Sequence, residues 1–103
     1  MAGSGVEDLL KRAEKKATSS GGWFSSKNSG KEEAVELYKE AANKLRVENR
    51  MEESGQVLVK AAELEIQIGE KDFAANTYYE ASKCFRMSRP DRTYFVYSQW
   101  QRL

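Results

Sequence analysis

Histidine is absent from this 103-residue chain, cysteine and proline occur once each (Cys84 and Pro90), and neither sign of charge dominates. Each scarcity removes a class of function. Without His and with a single thiol, one chain cannot assemble a Cys/His zinc site, a His-based catalytic triad or a disulfide framework. Lys and Arg together number 17 against 16 Asp and Glu, a net charge of +1. A dedicated nucleic-acid binder usually carries a basic excess, so no nucleic-acid partner is expected. No run approaches the roughly 18 apolar residues of a membrane span, and no apolar stretch near the start resembles a secretory signal. A lone unpaired thiol fits a reducing compartment, which reads as cytoplasmic. The length allows one small domain with one modest core.

What charge there is falls in blocks. Residues 1–31 carry net +3, residues 32–85 net −5 and residues 86–103 net +3. A basic arm, an acidic helical body and a basic tail are differently built pieces. Before Pro90 the chain is rich in Ala, Glu, Lys and Leu, all strong helix formers. Ser4 with Glu7, Ser29 with Glu32 and Asn49 with Glu52 each set a capping side chain three residues ahead of a Glu, the spacing of a capping box. Gly69 stands where a left-handed residue would close a helix. Four helices are predicted, over about 4–18, 30–47, 50–68 and 71–88.

The body repeats. Ala34, Leu37, Tyr38, Ala41 and Leu45 align with Ser54, Val57, Leu58, Ala61 and Glu65, and these with Ala74, Thr77, Tyr78, Ala81 and Phe85, at a step of 20 residues. The spacing i, i+3, i+4, i+7 marks one helix face. Small residues at the first and fourth positions let helices approach, and the large third residue fills the gap. Helices of this length joined by short connections, repeated, predict an all-α fold: a TPR-like α-α solenoid of antiparallel helical hairpins, about four helices long and truncated. Phe73, Tyr79 and Cys84 lie off the last stripe, as if to receive another helix. Residues 91–103 are aromatic and basic without a clean helical period, and read as a poorly ordered tail beyond a repeat region spanning 1–90. Between the first two helices, ten of the thirteen residues 18–30 are Gly, Ser, Thr or Asn, which favours a solvated loop. Trp23 and Phe24 are out of place there unless they dock on something or fold back onto the helices.

Chemistry is sparse. Glu32, Glu33, Glu36 and Glu40, with Glu52, Glu53, Glu63 and Glu65, include i, i+4 pairs, but carboxylates on an exposed helix are ordinarily solvated and partnered, as Lys44 would partner Glu40. Nothing resembles an EF-hand loop. The chain is read as no enzyme, with no metal, no cofactor and no small-molecule substrate. Cys84 reads as a small apolar residue packed between helices.

Glu7-Asp-Leu-Leu-Lys-Arg-Ala-Glu-Lys-Lys16, the Gly/Ser loop with its aromatic pair, Glu32-Glu-Ala-Val-Glu-Leu-Tyr-Lys-Glu-Ala-Ala-Asn43, Lys60-Ala-Ala-Glu63 and Asn76-Thr-Tyr-Tyr-Glu-Ala-Ser-Lys-Cys-Phe85 together resemble the start of the soluble NSF attachment proteins of the alpha type, fungal forms most of all. The resemblance covers about residues 6–90. It implies a right-handed helical solenoid that coats the SNARE bundle and links it to the NSF-type AAA ATPase during SNARE disassembly, in vesicle fusion and intracellular protein transport. The adaptor itself hydrolyses nothing and is peripheral on the cytosolic face of membranes. The family's C-terminal, ATPase-engaging part has no counterpart here, and the sequence departs from the family after Pro90.

The resemblance also assigns residues. The family's first loop dips apolar side chains into the bilayer, and Trp23 and Phe24 match its first pair; the second pair is missing, which weakens insertion. Burying each ring is worth roughly 2–3 kcal/mol, and Lys15, Lys16, Lys27 and Lys31 would add about 1 kcal/mol apiece against anionic lipid. For SNARE contact the family uses basic side chains on its concave face. Arg86 stands where members carry a Lys, and Arg46 and Arg50 lie near a second such position, whose closest match is Asn49. The alternatives are solvated arginines facing helix C-terminal dipoles and a generic helical-repeat scaffold without a membrane role.

Overall fold

Apolar side chains recurring every three to four residues force each segment to bury one stripe, and neighbouring segments supply the cover. In the computed structural model, residues 4–18 and 29–88 are described, together with 96, 98–99 and 101–102. They form α1 (Ser4–Thr18), α2 (Ser29–Val47), α3 (Met51–Gln67) and α4 (Lys71–Ser88). The predicted all-α class and the four helices are therefore observed, with ends within one residue of expectation.

Each helix packs on its neighbour in the chain, α1 on α2, α2 on α3 and α3 on α4; no other pair of described helices makes comparable contact. Three residues join α2 to α3 and three join α3 to α4, so those pairs run antiparallel. The result is a slab of 44 × 40 × 14 Å between Cα atoms, the geometry of a solenoid.

The 20-residue register is the register of the core. Of its fifteen positions, only Leu37 is less than fully buried, and Ala34, Ala41, Ser54, Ala61, Ala74 and Ala81 have no exposed surface. A second line at the same step, Ala42, Ala62 and Ser82, is buried beside the first. Val96 also joins the core, at 1% exposure.

Both turns are built alike, again 20 residues apart. Arg50 N–H donates to the Leu45 carbonyl at 2.8 Å and Asn49 N–H to Arg46 at 2.9 Å; Glu70 donates to Glu65 at 2.8 Å and Gly69 to Ile66 at 3.0 Å. This 6→1 and 5→2 pairing is the Schellman motif, which needs a left-handed residue at its centre. Gly69 supplies it at φ +86°, as expected, and Asn49 supplies it at φ +66°. The Asn49–Glu52 capping box is thereby overturned. Asn49 closes α2, and Arg50, at the N-cap of α3, makes no side-chain cap hydrogen bond. A short amide side chain tolerates the left-handed region, and that use outcompeted capping.

Candidate functional site

Three of the residues singled out from sequence, Trp23, Phe24 and Lys27, lie outside the described residues. The helix ends that flank them are fixed: Lys16 Nζ meets Glu33 Oε1 at 2.8 Å, tying the close of α1 to the opening of α2. That pair occupies one of the four lysines expected to face lipid.

The three arginines do not form one patch. Arg46, near the end of α2, reaches α4, with Nη2 3.3 Å from Glu80 Oε1 and 3.8 Å from the Cys84 sulfur. Burial works against its charge, but the Cys84 sulfur and the Glu80 carboxylate outweigh it and hold the guanidinium above its ordinary range. Arg50 turns the other way and lines a recess with Val6, Glu7 and Leu10 of α1. Its fork grips Glu53 through Nε at 2.7 Å and Nη2 at 2.8 Å, while Nη1 donates to Glu48 at 3.0 Å. These bonds push the arginine up and hold the Glu53 carboxyl below the usual range. Arg86 is exposed near the end of α4. Cys84, pictured as outward-facing with Phe73 and Tyr79, instead sits buried with its sulfur 3.8 Å from Ser54 Oγ, as a residue packed between helices does. Phe73 and Tyr79 are exposed, as expected.

A groove of about 730 Å³ runs between α2 and α4 over the end of α3. Glu65 forms its floor at only 2% exposure, accepting from Lys39 Nζ at 2.9 Å and from Thr77 Oγ1 at 2.6 Å. The reading of Glu65 as a solvated carboxylate is corrected here. Its place in the core register, between Leu45 and Phe85, was the available signal, and the partner that makes its burial tolerable lies 26 residues away. Glu40 lines the same groove. The expected Glu40–Lys44 pair does not form, because Lys44 leans across α1, where its Cε lies 3.9 Å from the position a Cβ on Gly5 would take. Among the described residues no group of His, Cys, Asp and Glu is arranged to hold a metal ion, and no helix is long and apolar enough to cross a membrane.

Known proteins share this chain's pattern. The model of the family described as soluble NSF attachment protein, SNAP, matches residues 4–100. The vesicular-fusion protein SEC17 of Komagataella phaffii is 38% identical over 91 residues, covering 84% of this chain and 31% of the relative. The alpha-soluble NSF attachment protein of Saccharomyces cerevisiae is 43% identical over 83 residues (77% of this chain, 28% of the relative), and the human protein of that name is 33% identical over 85 residues (80% and 29%). The chain thus spans under a third of the length of these relatives. Because the family match runs along residues 4–100, nearly its whole extent, the chain belongs to the soluble NSF attachment protein family.

Proposed function

We propose that this chain serves as the N-terminal part of a SNARE-disassembly adaptor, binding the SNARE bundle and the membrane surface and acting without catalysis. The observation that carries the reading is the family match over residues 4–100. The names of the relatives, which speak of vesicular fusion and of NSF attachment, support partnership with an NSF-type ATPase, and the family resemblance of the sequence adds the SNARE proteins. In this reading the loop between α1 and α2 touches lipid through Trp23, Phe24 and Lys27, at the cytosolic face. Arg86, exposed and without a carboxylate partner among the described residues, is the arginine best placed to meet an acidic bundle. Arg46 and Arg50 spend their charge internally and contribute mainly by holding the face in shape. A rim charge of this kind steers encounter more than it adds affinity.

Liposome flotation tests the membrane half. Trp23→Ser with Phe24→Ser lowers co-flotation with anionic vesicles about tenfold or more, since each ring contributes roughly 2–3 kcal/mol. Undiminished flotation would remove the lipid role and leave a helical-repeat scaffold. Arg86→Glu slows association with a soluble SNARE bundle several-fold at low salt, read by stopped-flow fluorescence.

A further inference from the structure

The groove between α2 and α4 has an apolar lip and a charged wall. On α4, Phe73 is 60% exposed and opens directly onto the groove beside Val35 and Ile68. Along α2, Glu32, Glu36 and Glu40 stand one turn apart on the exposed surface, facing the same space as Glu70. No ion pair forms at any of these four among the described residues; Glu7, Glu63 and Asp72 make none either, but these four share one groove. Among the described residues Lys39 is the single basic side chain lining the groove, and Glu65 holds it. Like charges at i, i+4 weaken a helix, so α2 holds a stripe that works against its own stability.

An apolar strip flanked by uncompensated carboxylates has a definite complement. We propose that the α2–α4 groove docks a Lys/Arg-rich amphipathic helix supplied by a partner protein. Its apolar side chains, at intervals of three to four and seven, rest on Phe73 and Ile68, and its cationic side chains meet Glu32, Glu36, Glu40 and Glu70. This is helix-in-groove recognition, with charge choosing the partner and the exposed ring anchoring it. The sign separates this surface from one that meets an acidic bundle, so it stands independently of the function proposed above.

A fluorescein-labelled helical peptide of about 18 residues, with Leu at intervals of three and four and Lys elsewhere, is the probe, read by anisotropy on the full chain; its counterpart carries Glu for every Lys. The Lys peptide binds and the Glu peptide does not. Glu36→Gln with Glu40→Gln weakens binding about tenfold and flattens its salt dependence, and Phe73→Ser weakens it several-fold. Glu7→Gln with Glu63→Gln, on the α1–α3 side, leaves it unchanged. Circular dichroism melts confirm that each variant is folded, and the Glu36/Glu40 pair should melt no lower than the parent. Equal losses in the two Glu→Gln pairs, or no effect of Phe73→Ser, would mean unspecific charge attraction and overturn the proposal. So would a dimer of the chain, seen by sedimentation and abolished by Phe73→Ser, because the occupant would then be a second copy.

Discussion

Gly55 governs how closely α3 and α4 approach. A Cβ there would lie 2.9 Å from Cε1 and Cζ of Phe85, closer than carbon atoms tolerate. Phe85 is 1% exposed, so its ring has nowhere to retreat. Gly55→Ala therefore sets two effects against each other. The helix gains about 1 kcal/mol from exchanging Gly for Ala, and the packed interface loses roughly 1–3 kcal/mol to crowding. Crowding wins, and the variant is about 1 kcal/mol less stable in urea denaturation. Trimming the ring with Phe85→Leu makes the same Gly55→Ala change stabilising, and a double-mutant cycle in which the two changes simply add would refute the steric account.

At the scale of elements, the two Schellman turns fix where helices stop and reverse. Gly69 sits at φ +86° with open space around it, so Gly69→Ala costs backbone strain alone, about 1 kcal/mol. Asn49 holds the equivalent place at φ +66°. Asn49→Gly is neutral or slightly stabilising, while Asn49→Ala loses up to about 1 kcal/mol; chemical denaturation of the three variants decides this. These turns also explain what was legible in the sequence. The core stripes and helix ends follow from period and composition, which are local, and they emerged nearly to the residue. Asn49 was misread because the same side chain suits an N-cap and a left-handed turn, and only the hydrogen bonds of the preceding helix choose between them. Glu65 and Glu40 were misread for a different reason. Their surroundings are set by Lys39, Thr77 and Lys44 across helix interfaces, which no local pattern encodes.

At the scale of the whole slab, stability passes from helix to helix, because no helix can bury its stripe alone. Tyr38 and Tyr78, forty positions apart in the register, are the buried large third residues of α2 and α4. Burial pushes both phenols above the ordinary value of 10.0, and the nearby carboxylates of Glu14, for Tyr38, and Glu63, for Tyr78, push the same way. Both shifts penalise the ionised form in the folded state. The unfolded chain thus releases these protons first, and stability contributed by the neutral rings is complete below pH 10.0 and lost as pH climbs through the raised folded values. Thermal melts from about pH 8 to pH 11 should therefore fall more steeply for the parent than for Tyr38→Phe with Tyr78→Phe, which has no phenol to ionise at either place. Lysine titration affects both proteins alike, so the difference between the curves isolates the two rings. Parallel curves would mean that the phenols ionise as readily in the folded slab as in the open chain, and that α2 and α4 do not seal them from water.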